Sequence, residues 1–197
     1  MARPHIERRR KDKQKKILEA ARRVFCRKGF LAVKMQDIID ECGISRGGIY
    51  IYYASVDEVF LDVMRQRNAE GISSINKSVE TREPFWHVLD TYIAKQKERL
   101  VRFENSLFRA YCEYIFSKPM AAVHAFRDSQ LANLRGSVEA ILRLGESQGV
   151  VANGDITQLA IFFIAVIDGL SVLALGDALT QETMDAQFEL LRNVIAQ

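Results

Sequence analysis

Along almost the whole chain the apolar positions recur every three or four residues, and no stretch sustains the period-two alternation of a half-buried strand. An all-α protein of about nine helices is expected. Ile17, Ala20, Ala21, Val24 and Phe25 mark the inward face of a first helix, which stops at Gly29. A second, short helix is predicted over 35–42 and is interrupted at Gly43. Ser45 is placed to N-cap a third, to which Ile49, Tyr52 and Tyr53 bring apolar and aromatic contacts. Ser55-Val56-Asp57-Glu58 has the spacing of a capping box and opens a long fourth helix with a stripe of Val59, Phe60, Val63 and Met64. That stripe weakens beyond Gly71 toward residue 79, where a change of direction is expected. Pro84 and Pro119 each stand where a new apolar period begins, at a first-turn position where a missing N–H costs nothing. Helices are predicted from both, with another over 104–117 and a last one over 180–196.

The stretch 156–176 is apolar on nearly every side and long enough to suggest a bilayer span. Asp168 would then lie near the centre at a cost of about 2.5 to 3.5 kcal/mol, and no Lys or Arg between Arg143 and Arg192 would orient the span. A buried helix is the expectation, with no membrane as partner. Such a helix needs cover all round, from the chain's own core on one side and from a second copy on the other. Ile161, Ile164, Asp168 and Val172, with Phe188, Leu191 and Ile195 from the last helix, are the residues expected at that homodimer interface.

Charge divides the chain. Residues 1–53 hold 14 Lys and Arg against 6 Asp and Glu, net +8, and residues 54–197 hold 14 against 19, net −5, which together give the overall +3. A basic block neutralises phosphates and releases counterions, whereas an acidic remainder is repelled by DNA and by anionic membranes. A solvated basic helix is the blander reading of the same charge. Domains are expected at 1–53 and 54–197, with Arg8, Arg9, Arg10, Lys11, Lys13, Lys15 and Lys16 in an unfolded arm ahead of the first helix. Cys26, Cys42 and Cys112 are odd in number and dispersed, and no histidines cluster, so neither a disulfide framework, a metal site nor a cofactor is expected. With no secretory pattern near the start, the cytoplasm is the expected location.

Helix, glycine turn and helix over 35–52 form a helix-turn-helix candidate, in which a tight turn lets the second helix protrude toward a major groove. Many helical proteins contain such a corner, but the basic arm and the polar positions on the third helix favour DNA. The segments Gly29-Phe30, Met35-Gln36-Asp37-Ile38-Ile39, Cys42-Gly43-Ile44-Ser45-Arg46-Gly47-Gly48-Ile49-Tyr50-Ile51-Tyr52-Tyr53 and Asp57-Glu58-Val59-Phe60 resemble the TetR family of bacterial transcriptional regulators over residues 15–62. Beyond them the likeness is one of layout.

The resemblance implies an N-terminal three-helix DNA-binding head and a C-terminal helical domain for effector binding and dimerisation. It implies a recognition surface of Ser45, Arg46, Gly47, Gly48, Tyr50, Ile51 and Tyr52, with Lys34 and Gln36 as phosphate contacts. Arg46 suits guanine or phosphate, the tyrosine hydroxyls suit phosphate, and Ile51 suits a thymine methyl. Gly47 and Gly48 permit close backbone approach, each at about 1 kcal/mol of helix propensity. Two positions depart from the family pattern: Lys34 stands where a Thr or Ser cap is common, and Val56 where Lys is common. The basic arm, following the minor groove, is expected to supply the phosphate interaction that Val56 cannot make.

Residues 85–116 hold eight of the chain's eighteen aromatics. Core packing accounts for any one of them, but the cluster as a whole points to a cavity for a small apolar or aromatic effector. Met64, Trp86, Tyr92, Phe103, Phe108, Tyr111, Cys112 and Phe163 are its expected lining, with Glu113, Arg109 and His87 as candidate polar anchors. The implied protein is a repressor that leaves a palindromic double-stranded operator when an effector spreads the two heads, helix four carrying the signal. No nucleophile, base or ligand spacing suggests an enzyme. The remaining alternative is a helical scaffold that binds another protein through 156–176.

Overall fold

The computed structural model describes residues 3–152 and 154–195. Nine α-helices and one short 3-10 turn make up the described residues: α1 Arg3–Lys28, α2 Met35–Cys42, α3 Arg46–Tyr50, α4 Val56–Glu80, α5 Phe85–Val101, the turn Phe103–Asn105, α6 Leu107–Ser117, α7 Met120–Ser147, α8 Ile156–Leu175 and α9 Gln181–Ile195. The all-α expectation holds. Most boundaries fall where capping chemistry puts them: Ser106 Oγ accepts the Arg109 N–H at 3.2 Å and Asp155 Oδ1 accepts the Gln158 N–H at 3.1 Å.

One expectation fails at the start of the chain. The run Arg8–Lys16 is not an unfolded arm but the first half of α1. Lys, Arg and Gln are good helix formers, and Pro4 sits in the first turn where it does no harm. The run is also anchored, since Gln14 Nε2 donates to the Tyr53 hydroxyl at 3.1 Å. Residues 1 and 2 of the expected arm lie outside the described residues.

The helices gather into two compact units that do not follow chain order. One runs as far as Arg67 and also takes in Glu104–Pro119; the other is Asn68–Phe103 with the chain from Met120 onward. This partition differs from the boundary expected after residue 53, because the charge pattern that suggested it carries no information on packing. The first half of α4 and the whole of α6 belong with the helix-turn-helix. Fully buried Ile17, Phe25, Ile38, Ile49 and Phe60 form the centre of this unit. Phe25 meets Phe60 edge-on at 5.0 Å, and Tyr114 of α6 meets Phe30 at 4.9 Å and Phe60 at 5.0 Å. Aromatic pairs at these separations, edge-to-face for Phe25–Phe60 and Phe30–Tyr114 and tilted for Phe60–Tyr114, contribute beyond their buried area and hold α6 in this unit.

The second unit is a bundle of α5, α7, α8 and α9 around Phe85, Leu89, Ile141, Leu142, Phe163, Ile167, Met184 and Phe188. Gly145 lets Phe85 and Val151 pack against α7, since a Cβ there would overlap both side chains. Arg192 of α9 pairs with Asp90 and lies 4.4 Å from the centre of the Trp86 ring, tying α9 to α5. Among the described residues α8 alone is long and apolar enough to cross a membrane. Ile156, Ala160, Phe163, Ile164, Ile167 and Leu170 turn one face of it into the bundle. The opposite face keeps large apolar side chains in the open.

Candidate nucleic-acid interface

α2 forms because Met35, Ile38, Ile39 and Cys42 give it a buried stripe, and it stops because Gly43 adopts φ 64°, a left-handed conformation that suits glycine. The missing cap at Lys34 is made good from inside the helix: the Lys34 N–H donates to Asp37 Oδ2 at 2.9 Å. Asp37 also accepts from Lys28 Nζ at 2.7 Å, and Glu41 accepts from Arg23 and Arg27 at 2.7 and 3.0 Å. The Lys28 ammonium, followed by the Lys34 N–H, holds the Asp37 carboxyl below its ordinary range. Hydrogen bonds from Arg23 and then Arg27 do the same for Glu41. Arg23, Arg27 and Lys28 of α1 thus offset two carboxylates of α2 and fix one helix on the other. Lys34, Arg46 and the basic residues in the first half of α1 are exposed.

α3 is a single short turn of helix, capped by Ser45 Oγ, which accepts the Gly48 N–H at 3.2 Å. It ends at Tyr50, earlier than the sequence pattern suggested. Ile49 alone is buried, so the other side chains are left outside: Ser45, Arg46 and Gly47 are exposed, Tyr50 is 44% exposed and Ile51 is 74% exposed. The Arg46 guanidinium lies 6.0 Å from the Tyr50 ring centre. Tyr52 is half-buried. The two glycines have different reasons. A Cβ on Gly47 would meet nothing within 4 Å, leaving its backbone open to approach, whereas one on Gly48 would press on Ile44 Cγ2 at 2.8 Å. Lys34 and Gln36 are exposed at the start of α2, and Gln36 Nε2 donates to Asp40 at 2.7 Å.

Behind α3, a network joins three elements. The Tyr53 hydroxyl donates to Asp62 Oδ2 at 3.0 Å and accepts from Gln14, and Asp62 pairs with Arg65. Burial pushes the Tyr53 hydroxyl pKa up, so it stays protonated and able to donate. Sequence reasoning gave Tyr53 a packing role and missed this anchoring of basic α1, for which no local spacing offers a signal. The start of α4 carries its box in modified form: Ser55 Oγ accepts the Glu58 N–H at 3.2 Å, and Glu58 reaches back to the Ala54 N–H at 2.7 Å.

The expected effector lining is not assembled within either unit. Met64 is core of the first unit, and Phe108, Tyr111 and Cys112 lie half-buried on α6. Phe103 and Phe163 are buried, and Trp86 and Tyr92 pack against the core of the second unit. Arg109 and Glu113 are bonded to each other at 2.9 Å, and His87 is exposed near Glu83. A groove of about 230 Å³ does open in the second unit, between Ile72, Ile75 and Asn76 of α4 and Ala132, Asn133, Gly136 and Ser137 of α7; it uses none of the expected residues. Among the described residues no cluster of His, Cys, Asp and Glu could hold a metal ion.

The expected dimer residues separate into two groups. Ile164, Phe188, Leu191 and Ile195 are buried in the bundle of their own chain, which corrects their assignment to an interface. Ile161, Asp168 and Val172 are exposed, and Phe162, Leu173 and Leu175 of α8 with Leu190 and Val194 of α9 join them as exposed large side chains that the sequence reading missed. On a helix apolar all round, the period alone does not tell the inward face from the outward one. Although Asp168 is exposed at its surface, partial desolvation among its neighbours raises its carboxyl above the ordinary range, with Arg99 opposing.

Comparison with known proteins adds to this geometry. Residues 17–63 match the family model described as bacterial regulatory proteins, tetR family. The HTH-type transcriptional regulator YfiR of Bacillus subtilis is 36% identical over 113 residues, 57% of this chain and 55% of that protein, so the chain spans about half of that curated relative. The crystal structure of a TetR-family transcriptional regulator from Agrobacterium tumefaciens superposes with a TM-score of 0.73 at 20% identity, covering 95% of this chain and 99% of that one. A TetR transcription regulator from Haloarcula marismortui gives 0.72 at 21% identity, over 94% and 97% of the two chains.

Proposed function

From the match of residues 17–63 to the tetR family model and the likeness of the fold, we propose that this chain is a TetR-family DNA-binding transcriptional regulator that responds to a small molecule. The reading in full is a cytoplasmic homodimeric repressor that leaves a palindromic operator when an apolar or aromatic effector binds. The observation that carries it is the outward strip at α3: Arg46, Tyr50 and Ile51 are exposed on one capped turn, with no carboxylate in the helix, while of the α2 carboxylates Asp37 and Glu41 are paired with cations of α1 and Asp40 accepts from Gln36.

Three kinds of group on that strip address three parts of a duplex. Arg46 offers a bidentate donor to guanine or a phosphate, Ile51 an apolar contact to a thymine methyl, and the open backbone at Gly47 a close approach to the sugar-phosphate chain. Basic α1, held by the Gln14–Tyr53–Asp62 network, adds sequence-independent attraction. A dimer through the exposed faces of α8 and α9 would present two such strips to half-sites about 34 Å apart.

Selection of duplexes from a random library by the full chain, followed by footprinting, tests this. The expected result is a palindrome protected on two successive turns, bound by a species of twice the 22.4 kDa chain mass. Binding without enrichment at any salt concentration would leave a protein-interaction scaffold as the better account.

A further inference from the structure

α6 is a part of the head that lies 54 residues beyond the end of the helix-turn-helix match at residue 63, if counted to Ser117. It is tied there by two polar contacts, one on either side of the α2–α3 pair in sequence. On the near side, Glu113 Oε2 accepts the backbone N–H of Phe30 at 2.7 Å and of Leu31 at 2.9 Å, at the turn between α1 and α2. Its other oxygen accepts from Arg109 Nε at 2.9 Å, and the Arg109 guanidinium is itself fixed on the Glu104 carbonyl at 3.0 Å. On the far side, Lys118 Nζ meets Asp57 in the first turn of α4 at 2.5 Å, beneath the faces of Phe30 and Tyr114.

The turn is shaped for this carboxylate. Gly29 takes φ 74°, which aims successive N–H groups at one point, and a Cβ there would overlap the Glu113 carboxylate. The α2–α3 pair is therefore held at both flanks by one helix.

We propose that Glu113 is a positioning residue for DNA reading: by holding the Gly29–Leu31 backbone on α6, it sets the orientation of α2 and α3 on which discrimination between sequences depends. The proposal rests on the DNA-binding reading above. A residue that only added stability would weaken all binding alike, through loss of folded protein. A positioning residue changes discrimination and leaves the phosphate-driven part untouched, because Lys34, Arg46 and α1 keep their charges.

The test uses the full chain, duplexes selected by the wild-type protein, and a random duplex of equal length. E113A should exchange the Phe30 and Leu31 amides about tenfold faster and lose about tenfold in the ratio of selected to random affinity, with random binding and its salt slope unchanged. E113Q keeps an oxygen for both N–H groups and should restore that ratio to within about threefold of wild type. Unchanged discrimination in E113A, or equal loss on both duplexes, overturns the proposal. If E113A does not fold, E113D, which keeps the charge but shortens the reach to the two amides, carries the test with the same two outcomes. Should the wild type itself fail to discriminate, the DNA-binding reading falls and takes this one with it.

Discussion

Gly29 and Gly43 end successive helices with similar backbones, φ 74° and φ 64°, yet their surroundings differ, and that difference can be measured. At Gly43 a Cβ would meet nothing within 4 Å. Gly43→Ala therefore meets only the steric cost of the left-handed region for an L-residue, about 1 to 2 kcal/mol. At Gly29 the same cost applies, and the new methyl also overlaps the Glu113 carboxylate, which must leave the Phe30 and Leu31 amides. Each N–H to carboxylate bond contributes about 1.5 kcal/mol at the lower end of the charged range, so Gly29→Ala should cost about 4 to 5 kcal/mol. The assay is urea unfolding followed by circular dichroism, restricted to variants whose slope matches the wild type. Repeating G29A in an E113A background closes a double-mutant cycle: with the carboxylate gone, the excess of Gly29→Ala over Gly43→Ala, about 3 kcal/mol, should vanish. Equal costs for the two glycines in the wild-type background would refute the reasoning.

Other outcomes follow from the same geometry. Val172 is 68% exposed on the open face of α8, so V172K should place two ammonium groups in a symmetric contact and return a species of one chain mass by light scattering; a persisting dimer would move the interface elsewhere. Phe188 is 2% exposed within the bundle, and F188A should instead lower the unfolding free energy by about 3 to 5 kcal/mol. Glu41 is held below its ordinary carboxyl range, so its contribution to stability is present above that range and is lost as pH falls through the depressed folded value. E41Q should accordingly flatten the fall in urea midpoint between about pH 5 and pH 3, and a curve parallel to wild type would show that the Arg23 and Arg27 pairs contribute nothing. On DNA, R46A should lose discrimination at one base position by about 1 to 3 kcal/mol, while K34A should weaken all sequences evenly and lower the salt slope by about 1. The reverse pattern would exchange their roles.

The parts of the head that could be read from sequence are those whose determinants are local. Gly43 and Ser45 announce the turn and cap of the helix-turn-helix within three residues, and the structure has both. Residues 8–16 misled because a row of like charges suggests repulsion, whereas each Lys and Arg tolerates a helix and Gln14 finds an anchor 39 residues away. The exposed face of α8 was half legible: its apolar surplus was visible, but Ile164 and Val172 differ only in the side from which other helices approach. The bonds from Glu113 to the turn span 83 and 82 residues, and nothing near either end marks them. Glu113 and Arg109 were singled out as polar groups among aromatics, and the structure bonds Glu113 to Arg109 and to the Phe30 and Leu31 amides.

The membership of α6 in the first unit bears on how such proteins can be recombined. A chimera made with a single crossover after Tyr53, or even after Arg67, would graft the N-terminal part of the first unit without the segment Glu104–Pro119 that belongs to it. The foreign α6 would bring its own side chain to the place of Glu113, leaving the Phe30 and Leu31 amides to whatever that residue offers. Exchange of specificity between relatives therefore calls for two grafts in register, the head and its distant helix, transplanted together.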